Sequence, residues 1–176
     1  HSHGQSLETT LAQVANEILG IPVDAVKVVH GDTAYTPYST GTWGSRCAVM
    51  AGGAVATSCE TLANRLKGIG AHLLQCDVSD AKVADGKVIG PNGSVPIADI
   101  AYSWYRLPQD LPDDVAPEGL EVTQGYKPER DSGTFSYAAH ACIVAIDTEI
   151  GEVEILDYVI IEDGGVLINP MVVDGQ

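Results

Sequence analysis

Apolar residues at the beginning of the chain recur at intervals of four and three, which places them on one face of a helix. The residues that share this spacing are Leu7, Leu11, Val14 and Ile18. Ser6 can serve as the N-cap, and Gly20 is a typical helix stop. The pattern therefore predicts an amphipathic helix from Ser6 to Leu19.

Alternating side chains from Val26 to His30 predict a short strand that ends at Gly31. Residues 33–45 form a loop rich in Thr, Ser, Tyr and Gly, and a long helical pattern runs from Arg46 to Gln75. That helix contains Gly52 and Gly53, each of which costs about 1 kcal/mol relative to alanine in a helix interior. We expect close packing or a bend at these glycines.

Two local signals follow the long helix. Lys82 to Ile89 predicts a hairpin, because Asp85-Gly86 supplies the positive φ angles that a two-residue type I′ turn requires. Ser94 as a cap and Pro96 in the first turn then predict a short helix that ends near Leu107.

The second half of the chain is predicted to be mainly extended. A strand is predicted at 120–125, and two strands at 135–147 and 152–162 are expected to pair as an antiparallel hairpin through the Asp147–Gly151 loop. Residues 163–170 are predicted to form a turn and an extended segment.

These elements predict an α+β fold of two lobes, in which helices pack on small mixed or antiparallel sheets. Residues 1–107 form the first lobe, and 120–176 form a hairpin lobe that is expected to continue beyond residue 176. The Pro-rich acidic segment 108–119 connects the lobes.

Composition excludes several classes of function. Nine basic and twenty-four acidic side chains give a formal charge of -15, which repels nucleic-acid backbones and anionic lipid surfaces. No apolar run approaches the roughly 18 residues of a membrane span. The chain lacks an initiator Met and a signal peptide, so it is expected to begin inside a longer protein.

Motifs of common enzymes and metal sites are missing. The four cysteines lack metal-binding or disulfide spacing, which predicts free thiols in the core or on helix faces. No hydrolase, metalloprotease, Walker or dinucleotide-binding motif is present. His30, His72 and His140 lack the context of a catalytic triad, and each is better interpreted as a packed or surface residue.

One loop carries candidate binding chemistry. Residues 40–47 lead into the long helix, whose first N–H groups and positive dipole end favour an anion. Gly44 permits close backbone approach, Ser45 can cap and donate, and Arg46 can bind phosphate oxygens in a bidentate manner. The alternative is structural: Ser45 only caps the helix and Arg46 is solvated.

A second loop precedes the first helix in a similar way. Gln5 offers amide donors and an acceptor suited to the edge of a heterocycle. His1 and His3 are open to two interpretations at this point, as native residues or as the remnant of a purification tag.

Several separate motifs in register resemble one family, the molybdopterin-binding subunit of the xanthine oxidase and aerobic carbon monoxide dehydrogenase enzymes. These motifs are His3–Thr10, Gly20–Pro22, His30–Thr33, Gly41–Arg46, Asp147–Glu152 and Asn169–Pro170. The resemblance covers essentially the whole chain and favours His1-Ser2-His3 as native residues.

The resemblance implies a site made by two loops. Gly4 and Gln5 would contact the pterin, with His3 lending a backbone contact. The phosphate or dinucleotide side of the cofactor would be held by Gly44, Ser45, Arg46 and Cys47. Two positions depart from the family pattern: Ser6 replaces a usual Gly, and Cys47 replaces a usual hydroxyl residue.

The resemblance also implies a parent enzyme. It would be a cytoplasmic molybdenum hydroxylase that oxidises a purine, aldehyde, N-heterocycle or carbon monoxide with oxygen derived from water. Its partners would be an iron–sulfur subunit and an FAD subunit, and its cofactor the cytosine dinucleotide form of molybdopterin. The glutamate that acts as base lies beyond the Asn169-Pro170 segment in the family.

No residue of this chain is therefore assigned as catalytic or as a metal ligand. The isolated fragment is expected to be inactive and to lack the cofactor. The competing hypothesis is a non-catalytic scaffold or interaction domain that keeps the fold without the cofactor, for which Ser6 and Cys47 are the supporting departures.

Overall fold

A computed structural model describes residues 1–130 and 133–176. Its helices are α1 (Leu7–Leu19), α2 (Gly53–Leu74), α3 (Ile97–Arg106) and α4 (Pro170–Gly175), and a π-helical segment, Ala48–Gly52, leads into α2. Its strands are β1 (Lys82–Ala84), β2 (Lys87–Gly90), β3 (Gly93–Pro96), β4 (Tyr137–Ile146) and β5 (Val153–Asp163). The strands form two antiparallel sheets, β1-β2-β3 and β4-β5, which confirms the α+β prediction.

The core lies between the helices and the three-stranded sheet. Its most buried large side chains are Leu66, Ile69, Val88 and Ile100. Gly70 lets α2 approach β2 closely, since a Cβ there would lie 2.6 Å from the side chain of Val88. Among the described residues, no helix combines the length and apolar character that a bilayer span requires.

Helix α1 confirms the predicted helix, although its buried residues are Leu7, Ala12, Ala15 and Leu19 rather than the full periodic set. Ser6 does not cap it through its side chain. Ser6 has a φ of 59°, in the left-handed region, and its carbonyl accepts hydrogen bonds from the N–H groups of Thr9 and Thr10. The predicted stop is confirmed: Gly20 has a φ of 65° and donates its N–H to the Asn16 carbonyl at 2.7 Å.

The predicted strand at 26–30 is wrong. A 3-10 turn at Val23–Ala25 precedes it, and the segment is extended with alternating half-buried and exposed side chains. No neighbouring strand in the described residues gives it a ladder. The alternation of side chains in the sequence therefore reflects a segment that is half-buried on one side, and not a paired β-strand.

The predicted strand at 120–125 is also wrong, because side chains of α2 replace a partner strand. The Nη1 atom of Arg65 donates to the carbonyl oxygens of Gly119 at 2.8 Å and Glu121 at 3.0 Å. The Nε2 atom of Gln124 donates to the Thr61 hydroxyl at 2.9 Å. The Glu121 carbonyl is thus hydrogen-bonded without a β ladder.

The first hairpin is confirmed, with Asp85 at φ 52° and Gly86 at φ 68°. Ser94 is not a helix cap as predicted: it lies in β3, opposite Ile89, and α3 begins only at Ile97. The chain turns back at Gly93, which has a φ of 137°. Ser94 therefore pairs within the β2-β3 ladder and cannot cap the helix.

Strands β4 and β5 confirm the second hairpin, with a bulge between Ile143 and Val144. The prediction for the end of the chain missed α4. The Asn169 side chain caps α4 by accepting from the Val172 N–H at 3.2 Å, and its Nδ2 atom donates to Gln13 of α1 at 2.9 Å. A contact across the fold therefore fixes this helix start.

The connection at 108–119 contributes to the first core. It contains a 3-10 turn, Pro108–Asp110, and its Leu111 is buried in the cluster around Ile69 and Ile100. The division into lobes at this segment stays a prediction.

Candidate functional site

The two loops singled out in the sequence line one cavity of about 470 Å³ beside α1. Of the seven predicted site residues, this cavity brings together His3, Gln5, Gly44, Ser45, Arg46 and Cys47. Gly4 lies between His3 and Gln5 with a φ of 109° and does not line the cavity itself. Side chains of α1 complete the wall, among them Leu7 and Leu11.

Hydrogen bonds join the loops to each other. The Thr42 hydroxyl in the second loop donates to the His1 carbonyl in the first. This contact ties the first loop to Thr42, which lines the cavity.

Gln5 uses its acceptor within the loop. Its Oε1 atom accepts the backbone N–H of His3 at 2.7 Å and the Ser2 hydroxyl at 3.5 Å. The amide NH2 is the part of Gln5 that can serve a ligand, and it can only donate. The same hydrogen bond occupies the backbone N–H of His3.

Arg46 places a positive charge at the cavity, and no described carboxylate pairs with it. Its guanidinium carbon lies 4.8 Å from the centroid of the Trp43 ring, a cation–π contact that restricts its position. Within residues 1–130 and 133–176, the ion pair that forms is between His30 and Glu8, at 2.7 Å, and it does not involve Arg46. Arg46 is thus a cation available to an anionic ligand in an acidic chain.

Ser45 is not the N-cap of the long helix as expected. Its φ of 52° places it in a turn, and the first helical hydrogen bond joins the Met50 N–H to the Arg46 carbonyl at 2.8 Å. The Ser45 carbonyl accepts from the N–H of Thr134 at 3.0 Å and from its hydroxyl at 2.9 Å. Thr134 also lines the cavity, and no local signal could have identified a partner 89 residues away.

The glycine pair explains how the helix start is shaped. A Cβ at Gly53 would lie 2.5 Å from the ring of Tyr126, so the predicted close packing is confirmed there. Gly52 ends the π-helical segment and is buried, yet a Cβ at this position would meet nothing within 4 Å. A single π turn of this kind is common near functional sites.

A second cavity of about 470 Å³ adjoins the same helix start. Arg46 and Cys47 line both cavities, and Tyr38 and Tyr126 add aromatic surface to the second. The helix start thus presents one cation to two adjoining spaces.

The pKa values of two side chains, one in α1 and one in α2, are shifted. The pKa of Glu8 is lowered, first by a hydrogen bond from its own backbone N–H and then by the hydrogen bond with His30. Burial raises the pKa of the Cys59 thiol in α2. All four cysteines are free, as predicted, although Cys142 is exposed on β4.

Metal ligands do not cluster in the part of the chain that the structure describes. His140 donates to or accepts from the Tyr158 hydroxyl at 3.0 Å, in agreement with a packing role. The arrangement as a whole can bind an anion and an acceptor-rich ring edge.

A family model described as the molybdopterin cofactor-binding domain matches residues 1–176. This chain belongs to that family. The resemblance inferred from the sequence motifs is therefore confirmed, and so are the family's oxidoreductase and molybdenum associations.

Relatives of this molybdopterin-binding chain include two large subunits. It is 39% identical to the nicotine 6-hydroxylase large subunit of Paenarthrobacter nicotinovorans, over 100% of this chain and 22% of the relative. It is 35% identical to the carbon monoxide dehydrogenase large chain of Hydrogenophaga pseudoflava, over 99% of this chain and 21% of the relative. The chain therefore spans only a minor part of the curated relatives it matches.

Solved structures show the same fold. Quinoline 2-oxidoreductase from Pseudomonas putida 86 aligns with a TM-score of 0.84 and 31% identity, over 99% of this chain and 22% of that chain. The Cu,Mo carbon monoxide dehydrogenase aligns with a TM-score of 0.81 and 30% identity, again over 99% and 22%.

Proposed function

We propose that this chain forms part of the molybdopterin cradle in the large subunit of a molybdenum hydroxylase. The observation that carries the proposal is the convergence of the His3–Gln5 and Gly44–Cys47 loops on one cavity, with the guanidinium of Arg46 at its wall and no carboxylate paired with it among the described residues. A site for an anionic, ring-containing ligand needs these two components together.

The donor set fits the cofactor. Arg46 and the first N–H groups of the helical run at Cys47 would bind phosphate oxygens, since both favour negative charge. The Gln5 amide NH2 would donate to an acceptor on the pterin edge, and the Leu7 and Leu11 side chains would exclude water from the ring. Trp43 would hold the Arg46 guanidinium in a binding orientation.

When bound, the molybdenum cofactor would supply the oxidation of a small substrate with oxygen derived from water. No residue of this chain is proposed to be catalytic, and the glutamate base is expected elsewhere in the large subunit. The substrate class is a purine, aldehyde, N-heterocycle or carbon monoxide. Three relatives have names that contain nicotine, carbon monoxide and hypoxanthine, respectively.

The assembly is part of the same proposal. An iron–sulfur subunit and an FAD subunit would complete the electron path, and the relatives named as large or gamma subunits support a multi-subunit complex. We further propose the cytosine dinucleotide form of the cofactor and a cytoplasmic location. By itself the chain is proposed to be inactive and to lack the cofactor, because the remaining walls of the cradle lie elsewhere.

The alternative of a scaffold without cofactor rests on Ser6 and Cys47. Ser6 adopts φ 59° and ψ 36°, the left-handed conformation that a glycine would also provide, so the loop keeps its geometry despite the substitution. Cys47 stays at the cavity wall. These observations favour a retained binding site over a scaffold, and a glutamate in the downstream sequence would distinguish the two.

The test uses the full-length large subunit. Gln5→Ala should lower cofactor affinity about 3- to 10-fold, because a neutral hydrogen bond contributes roughly 0.5–1.5 kcal/mol. Cys47→Ser should leave the molybdenum content unchanged or increase it, because a hydroxyl is a stronger donor than a thiol. Metal analysis of the purified subunit, together with release of the bound nucleotide, measures both.

A matched control is Gln109→Ala, which removes an exposed glutamine far from the cavity and should not change the molybdenum content. Full cofactor content in Gln5→Ala, or loss of cofactor in Cys47→Ser, would contradict the proposed contacts of the first and second loops, respectively.

A further inference from the structure

A histidine–glutamate pair joins α1 to the extended segment at 26–30. The His30 Nε2 atom lies 2.7 Å from the Glu8 Oε1 atom, and the two side chains are 29% and 53% exposed. A pair this accessible to solvent contributes little to the stability of a fold. Its position is more informative, because Glu8 lies in the first turn of α1, which follows the His3–Gln5 loop, and His30 lines the second cavity.

The contacts of Glu8 continue into the first loop through Ser2. The Ser2 hydroxyl helps to lower the pKa of Glu8, after the larger effects of the Glu8 backbone N–H and of His30. The same hydroxyl donates to the Oε1 atom of Gln5 at 3.5 Å, a long contact that fits one proton shared between two acceptors. A chain of polar contacts thus runs from the second cavity to the first, through His30, Glu8, Ser2 and Gln5.

The end of this chain determines how the Gln5 amide is oriented. A side-chain amide can rotate by 180°, which exchanges its donor and its acceptor. The His3 N–H at 2.7 Å and the Ser2 hydroxyl both donate to Oε1, so the rotated amide would place its NH2 group against two donors. The NH2 group is therefore the end of the Gln5 amide that is left for a ligand.

We propose that Glu8 and His30 are positioning residues of the cofactor site, which hold Ser2, and through it the Gln5 amide, in the orientation that donates to the pterin edge. The inference rests on the proposed function, because the pterin edge is the acceptor that Gln5 would meet. Neither residue lines the first cavity, so both act through the loop. The role of Glu8 is to accept hydrogen bonds, and a neutral acceptor at the same position should also serve.

The test follows the rate at which the purified full-length large subunit loses molybdenum during dialysis. Glu8→Ala should accelerate the loss about 2- to 5-fold, the range expected for one exposed polar pair. Glu8→Gln should lose molybdenum at the parental rate, because its amide still offers an acceptor to His30 and can bond the Ser2 hydroxyl, which both donates and accepts. Glu17→Ala removes another exposed carboxylate of α1 and is the matched control, again with the parental rate expected.

A double variant shows whether Glu8 acts through Gln5. In a Gln5→Ala background, Glu8→Ala should cause no further acceleration, because two changes in one chain of contacts are not additive. Additive losses, or equal losses in Glu8→Ala and Glu8→Gln, would overturn the inference. A parental rate in Glu8→Ala together with faster loss in Gln5→Ala would overturn it too, and would leave the proposed function standing. A parental rate in Gln5→Ala would overturn both.

Hydrogen exchange in the cofactor-free subunit gives a readout that does not depend on molybdenum. The His3 N–H that binds Gln5 should exchange faster in Glu8→Ala, and at the parental rate in Glu8→Gln and Glu17→Ala. Unchanged exchange of this N–H in Glu8→Ala would overturn the inference. Faster exchange along the whole of α1 would do the same, because it would show unfolding of the helix and not the release of one side chain.

Discussion

Replacing Arg46 by alanine in the full-length large subunit is expected to reduce cofactor affinity by one to two orders of magnitude. The guanidinium lines the cavity, stacks on Trp43 and has no carboxylate partner among the described residues. A charge-assisted hydrogen bond typically contributes about 1.5–3 kcal/mol, which corresponds to that loss. The molybdenum content of the purified subunit and the retention of its nucleotide during dialysis measure the effect.

Two variants separate charge from geometry. Arg46→Lys keeps the charge but loses the planar bidentate fork, so its cofactor content should lie between that of the parent and that of the alanine variant. Arg106→Ala removes an exposed arginine at the end of α3 and serves as the control for net charge. Parental molybdenum content in Arg46→Ala would mean that the phosphate side of the cofactor lies elsewhere.

Gly20→Ala is expected to lower the free energy of unfolding by about 3–5 kcal/mol, at the upper end of single substitutions. Gly20 has a φ of 65°, which disfavours any residue with a Cβ. A Cβ there would also lie closer than 3.0 Å to the backbone nitrogen of Asp85. Backbone atoms cannot rotate away, so the end of α1 and the β1-β2 turn would have to separate. Urea denaturation followed by circular dichroism measures the loss.

Gly68→Ala is the matched control, because it introduces the same methyl group in a different setting. Gly68 lies in the interior of α2 without a positive φ, and a Cβ there meets nothing within 4 Å. The substitution should stabilise the protein by about 0.5–1 kcal/mol, the usual difference between glycine and alanine in a helix. Equal effects of the two substitutions would show that the contact between Gly20 and Asp85 does not restrict the fold.

The site was predictable in part. Its loops are recognisable because glycine, a cation and a helix start occur together at residues 44–47, and the sequence motifs indicated the family correctly. The wall residue Thr134 was missed, and the N-cap role of Ser45 was wrong, since both depend on a hydrogen bond across 89 residues. The contacts of individual residues with the cofactor remain predictions.

The sequence by itself determined the elements whose signals are local. Helix α1 follows from apolar spacing and its glycine stop, the first hairpin from Asp85-Gly86, and β4-β5 from two β-rich runs around a short loop. In each case the residues that specify the element lie within it, so neighbouring side chains and backbone angles suffice.

Only the tertiary structure decided what the remaining segments do. A strand needs a hydrogen-bonding neighbour strand, which residues 26–30 and 120–125 lack in the described part of the chain; Arg65 and Thr61 of α2 supply other partners for the second segment. The same holds for Arg46. The sequence gives its residue type, but whether a carboxylate pairs with it depends on where the acidic side chains of a chain with charge -15 lie in space, and none of the described ones does.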